Sequence, residues 1–280
     1  MTSATSPIAV FDSGVGGLTV LHDLLVNLPN EDYVYFADTL RFPFGERTQA
    51  ELKAFSREIA DHLVAEGAKL LVIACNSASS AAVNSVQAHL EASGSDVDVI
   101  GAIAPATQLA VAGSRSGRIG VLATHATVNS GAYNRAVHQA DPHVTLESVA
   151  CPELAPAIQN GFPFDAAMVA MIRGYCAPLK AAEVDTVILG CTHYPLVAPM
   201  LQRSLGRGVS LVTSGSGIAR SVERALASRQ LMNPAVAEGA YRFQCTADPD
   251  AFREVGVRFL QLPFGEVELV RLQASTMVAP

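Results

Sequence analysis

Two cysteines carry the strongest chemical signal in this 280-residue chain. Cys75 follows Leu70-Leu71-Val72-Ile73-Ala74 and precedes Asn76-Ser77. Cys191 follows Thr186-Val187-Ile188-Leu189-Gly190 and precedes Thr192-His193. Each apolar, partly β-branched run reads as a buried strand. In α/β sheets, ligands bind just beyond the carboxyl ends of strands. One thiol so placed in each half of the chain suggests two acid/base groups facing one substrate. Such a pair suits removal of a proton from one face of a carbon and its return to the other. A free thiol has a pKa of roughly 8.5, and a helix N-terminus lowers it. Both cysteines sit at predicted strand-to-helix transitions. His193, two residues past Cys191, can shuttle a proton there. Asp12 ends a strand over 8–11 and is expected to reach Cys75 on the neighbouring strand. A lone buried cysteine is more often a small packing residue; two in matched contexts, each with polar followers, favour chemistry.

The elements that must position these groups repeat. Ile8–Phe11 reads as a strand, followed by Asp12-Ser13-Gly14-Val15-Gly16-Gly17 and a helix over 18–28. Ile119–Leu122 reads as a strand, followed by Ala123-Thr124-His125-Ala126-Thr127 and a helix from about Ser130. The strands are offset by 111 residues and the cysteines by 116, which suggests a duplicated α/β unit. Further strands are predicted over 32–37, 97–103, 144–149 and 209–213, and helices over 48–66, from Ala106 and over 164–180. This βαβα order, with the duplication, predicts an α/β fold of two similar units with mainly parallel sheets and helices on both faces. The chain is expected to leave the first domain near Gly101 and return near Thr213. That makes 1–100 with 213–280 one domain and 101–212 the other. The tail adds a strand over 241–244 and a helix over 249–259 that pattern alone does not place.

Composition narrows the function. Half the residues are hydrophobic and 16% are charged, as in a globular protein with a large core. The net charge of −7 and the lack of Lys/Arg runs argue against a nucleic-acid surface. No apolar run approaches the ~20 residues that span a bilayer. The polar N-terminus is unlike a signal peptide. Five cysteines, an odd number without a Cys-x-x-Cys pair, point to free thiols in a reducing, cytoplasmic setting. No zinc spacing is present. Thr19 stands where a dinucleotide fingerprint needs glycine, and no Walker sequence occurs. The three lysines, Lys53, Lys69 and Lys180, offer no Schiff-base site, so no pyridoxal cofactor is expected. Instead, the glycine turn after Asp12 is expected to present backbone N–H groups to a small carboxylate. Loops rich in hydroxyls and amides, at Asp38-Thr39, Pro43-Phe44-Gly45, Asn76-Ser77, Thr124 to Thr127 and Thr192, suit a small, fully polar ligand.

Four segments together resemble one family. They are Phe11 to Thr19, Ala74-Cys75-Asn76-Ser77-Ala78, Asn129-Ser130-Gly131-Ala132-Tyr133 and Leu189 to Pro195. From Ile8 to about Phe259 the chain resembles the cofactor-independent glutamate racemases of the aspartate/glutamate racemase superfamily. The resemblance implies two similar, pseudo-symmetric α/β domains with the active site in the cleft between them, and proton transfer at the α-carbon of glutamate, supplying D-glutamate for peptidoglycan. It implies that Cys75 takes the proton from D-glutamate and Cys191 from L-glutamate, assisted by Asp12 and His193. It further implies a substrate held by Ser13, Gly45, Asn76, Ser77 and Thr192, with Asp12, Pro43, Phe44 and His193 alongside and Thr124 and Thr127 as neighbours. A homodimer is expected, with no metal. Four positions depart from the family pattern: Phe44 for tyrosine, Ser77 for threonine, Gln159-Asn160 where an acid is common, and Thr213 for aspartate in Asp-Ser-Gly. The alternatives are a racemase of the same superfamily acting on aspartate, another amino acid or a hydantoin, and a non-catalytic regulatory protein on the same fold. The second cysteine argues against a single-cysteine decarboxylase.

Overall fold

A computed structural model describes residues 2–161 and 165–272. The predicted start of a helix at Phe164 and the last residues of the tail lie outside that range. Among the described residues, ten strands form two sheets. They are β1 (Ile8–Asp12), β2 (Tyr33–Ala37), β3 (Leu70–Ile73), β4 (Asp98–Gly101) and β5 (Arg118–Ala123), then β6 (Thr145–Ala150), β7 (Thr186–Gly190), β8 (Ser210–Val212), β9 (Tyr241–Cys245) and β10 (Val267–Leu269). The first sheet runs β10-β9-β2-β1-β3-β4 and the second β6-β5-β7-β8, with every pairing parallel. Parallel sheets need crossover helices on both faces. The strands accordingly read as near-continuous apolar runs, and β1, β2, β3 and β7 are buried throughout.

The order β2-β1-β3-β4 in the first sheet recurs as β6-β5-β7-β8 in the second. The duplication suggested by the strand offsets is therefore present in the topology. It puts Cys75 after β3 and Cys191 after β7, at equivalent places. The tail strands β9 and β10 extend the first sheet beyond β2, with Tyr33 in register with Tyr241. Sequence pattern could not place them because a parallel partner 200 residues away leaves no local trace.

Local chemistry explains the helix boundaries. The helix Gln49–Ala65 opens on a complete capping box between Thr48 and Glu51 and is followed by Gly67 at φ +89. The helix expected from Ser130 is in fact two, His125–Asn129 and Ala132–Ala140, separated by Gly131 at φ +64. The first-lobe helix Leu18–Asn27 packs against the returning helix Gly215–Ser228, which also touches Ile103–Gly113. That contact is close: a Cβ on Gly217 would lie 3.0 Å from both Pro105 and Leu109. One hydrophobic cluster runs through both sheets, from Ile8 and Leu21 to Leu189 and Leu201; a second gathers around Phe36, Leu71 and Cys75, and a third around Ile119 and Ile188. Lys69 is fully buried in an ion pair with Glu31 at 2.6 Å, so it has a structural place.

Candidate active site

The carboxyl ends of the two sheets face one cavity. Ser13 follows β1, Cys75, Asn76 and Ser77 follow β3, Thr124 follows β5, and Cys191, Thr192 and His193 follow β7; all line it. Phe42, Pro43, Phe44 and Gly45 form one wall, and Pro152, Ala155 and Pro156 another. The cavity is narrow: the space open to the centre of a water-sized sphere is ≈ 30 Å³. Asp12 and Thr127, both predicted at the site, do not reach its surface and lie buried behind it.

Asp12 ends β1 with no exposed surface. Its Oδ1 accepts from Gly14 N at 3.0 Å and from Ser13 Oγ at 3.4 Å. Its Oδ2 accepts from Thr192 Oγ1 at 3.1 Å, across from the other sheet. Burial pushes its carboxyl up to about 6, against the pull of these hydrogen bonds. The glycine turn is thus occupied by the protein's own carboxylate, and not by the open anion cradle that the sequence suggested. Gly16 and Gly17 are there for close approach. A Cβ on Gly16 would meet Thr192 Oγ1 at 2.3 Å, and one on Gly17 would meet Asp12 at 2.6 Å.

Cys75 is the N-cap of the helix Asn76–Ala92 without a side-chain capping bond, and the nearby Ala78 and Ser77 N–H groups favour its thiolate. Burial nevertheless dominates and, with the charge of Asp12, pushes the thiol up to about 12. The helix terminus therefore does not make a resting thiolate, contrary to the expectation from placement alone. Asp12 makes no direct bond to this thiol. Ser13 Oγ lies between them, 4.0 Å from Cys75 Sγ.

Cys191 has no α-helix directly after it. Thr192 and His193 lead into a single 3-10 turn, Tyr194–Val197, before the helix Ala198–Leu205. Burial raises this thiol too, opposed by the His193 N–H and reinforced by charge on Cys75. His193 Nδ1 lies 4.0 Å from Cys191 Sγ. His193 Nε2 lies 2.8 Å from Gln159 Oε1, which can only accept, so Nε2 carries the proton and Nδ1 offers a lone pair to the thiol. Burial holds the imidazole down at about 4, so it is neutral near pH 7. Phe42 and Phe259 pack on its ring at centroid distances of 5.9 and 5.2 Å.

Several contacts had no role assigned in the sequence. Gln159 stands where the family commonly has an acid, and it reaches His193. Tyr133, within the Asn129–Tyr133 segment, donates from its hydroxyl to Asn76 Oδ1 at 2.7 Å. Ser77 and Thr124 share a hydrogen bond at 2.8 Å, and Thr127 bonds Thr124 at 3.2 Å. Phe44 turns its ring onto Phe55, 5.7 Å away. All five cysteines are free and buried. Among the described residues, no group of three or more His, Cys, Asp or Glu could hold a metal, and no helix is long and apolar enough to cross a membrane.

The model of the Asp/Glu/hydantoin racemase family matches residues 23–222. A curated glutamate racemase from Mycobacterium tuberculosis (strain ATCC 25618 / H37Rv) is 43% identical over 272 residues, covering 96% of this chain and 98% of that protein. The glutamate racemase of Francisella tularensis, solved in complex with D-glutamate, superimposes with a TM-score of 0.89 at 32% identity, covering 97% of this chain and all of that one. The glutamate racemase of Thermus thermophilus, solved in complex with β-chloro-D-alanine, gives 0.83 at 38% identity, covering 97% and 99%. With two like parallel sheets closing on one cavity and a match over most of its length, the chain belongs to the Asp/Glu/hydantoin racemase family.

Proposed function

We propose that the protein interconverts L- and D-glutamate by α-proton transfer between two cysteines. The observation that carries this reading is the placement of Cys75 and Cys191 at equivalent strand ends of two like sheets, facing one cavity. In one direction a Cys75 thiolate takes the α-proton of D-glutamate while the Cys191 thiol delivers its proton to the opposite face. In the other direction the roles exchange. Each half has a proton acceptor behind its sulfur: Ser13 Oγ and Asp12 behind Cys75, and His193 Nδ1 behind Cys191. Burial disfavours the thiolate at both sulfurs. An ammonium group brought in by the substrate supplies the opposite charge and makes a thiolate affordable there.

Glutamate is favoured by the relatives named above and by the donors lining the cavity, Ser13, Asn76, Ser77, Thr124 and Thr192. The same reading takes residues 1–100 with 213–280 as one lobe and 101–212 as the other, and expects a cytoplasmic homodimer that supplies D-glutamate for peptidoglycan. The test is chiral chromatography of glutamate, aspartate, glutamine and an apolar amino acid, each incubated with the protein in D₂O without added metal or pyridoxal phosphate. Racemisation of glutamate with solvent deuterium at the α-carbon is the expected result. Preference for another amino acid would overturn the substrate, and activity that needed a metal would overturn the mechanism.

A further inference from the structure

Asn76 lines the cavity yet is buried, and its Nδ2 has no hydrogen-bond partner among the described residues. A buried amide N–H₂ left unpaired costs free energy unless something else supplies an acceptor. Its Oδ1 is already taken. The Tyr133 hydroxyl donates to it at 2.7 Å, and Tyr133 is itself buried, on the helix Ala132–Ala140 of the other lobe. An amide can present either end to a ligand, and the two ends have opposite polarity. With Oδ1 held by a donor, the end left for the cavity is the N–H₂, which suits a carboxylate; the reversed amide would turn its oxygen on that anion.

We infer that Tyr133 is a positioning residue, which fixes the Asn76 amide with its N–H₂ toward a carboxylate of the ligand and does so from across the lobe boundary. Asn76 lies on the helix that follows β3 and Tyr133 on a helix that follows β5, so this one bond joins the layers of the two sheets at the cavity. This inference rests on the proposed activity for its ligand, a small amino dicarboxylate, and not for its geometry.

The experiment is a double-mutant cycle with Tyr133→Phe, Asn76→Ala and both together. It reads kcat and KM for each glutamate enantiomer and D-glutamate affinity by calorimetry. Thermal melting of every variant checks folding. Tyr133→Phe removes only the hydroxyl and is expected to raise KM and weaken calorimetric binding about tenfold, with a smaller change in kcat. In the Asn76→Ala background the same change should do nearly nothing further, because the group it orients is gone. Additive effects of the two substitutions would overturn the inference, as would a Tyr133→Phe protein with wild-type KM and affinity. Either result with a wild-type protein that racemises glutamate leaves the proposed function standing. A folded wild-type protein that neither binds nor racemises glutamate overturns both.

Discussion

Cys75 sits at the head of a 17-residue helix and has a serine and a carboxylate behind it, whereas Cys191 is followed by one turn of 3-10 helix and leans on an imidazole. The strands that carry the two thiols occupy equivalent places in the two sheets; the groups behind the two sulfurs do not match. One half uses an acid raised to about 6 by burial, and the other a base lowered to about 4 by the same cause. Repeating a fold therefore copies position faithfully and leaves acid–base chemistry to be set locally. Because the two enantiomers have equal free energy, an asymmetric site cannot make kcat/KM larger in one direction. The asymmetry has to appear in which proton transfer limits each direction, and in pH.

The largest effect should come from removing either sulfur. Cys75→Ala and Cys191→Ala are each expected to lower racemisation by about 10³-fold or more in both directions, since each turnover uses both groups. Chiral assay of purified variants checks this, and near wild-type turnover in either would break the two-thiol comparison. Next, Asp12→Asn and His193→Asn are each expected to cost about 10²-fold. They should differ in the primary isotope effect. Asp12→Asn should raise it with α-deuterated D-glutamate, and His193→Asn with α-deuterated L-glutamate. Equal effects in both variants would mean that the two acceptors do not serve separate thiols.

A stability measurement sharpens the same contrast. The folded carboxyl of Asp12 has its pKa above the unfolded value of 3.8, so folding is fully supported below that value and loses support as pH rises through about 6. His193 works the other way. Its folded pKa lies below 6.5, so its support is present above that value and is lost as pH falls through about 4. Between the two pH values these slopes oppose one another. Asp12→Asn should raise stability at pH 7–8 by about 1–3 kcal/mol, with the gain vanishing near pH 4, and should leave the acid-side loss steeper. Denaturant titrations at several pH values read it; a loss of stability at pH 8 would refute it. The smallest effect is expected from Gln159→Glu. A carboxylate 2.8 Å from His193 Nε2 should raise the imidazole pKa and move the acid limb of the L-glutamate profile upward, with rates changing only a few-fold.

Much of this was legible in the sequence for a physical reason. Buried parallel strands are continuous apolar runs, so β1, β2, β3, β5 and β7 stood out, and with them the residues after their ends. Thr124 and Ser77 could be expected at the cavity because loops there have nowhere else to face. Asp12 and Thr127 share those loops and yet point behind the wall, since one turn of backbone decides which side chain faces the cleft. Tyr133 leaves no sign of its partner, which lies 57 residues away at Asn76, whereas Gln159, 34 residues from His193, shows in the sequence only as a departure from the family pattern. The net direction of the thiol pKa is not legible from the helix terminus, because burial outweighs a few N–H groups and is set by the whole fold.

The pairing of β2 with β9 has a consequence for how the chain is made. The second sheet is encoded in one unbroken stretch, from Arg118 to Val212, and can assemble as soon as it leaves the ribosome. The first sheet cannot. The outer edge of β2, complete at Ala37, waits for Tyr241–Cys245, 204 residues later. At about 5–20 residues per second that is roughly 10–40 s with an apolar strand edge open. During synthesis the lobe that begins the chain is the last to finish, and its exposed edge is where a chaperone or a stray strand would dock.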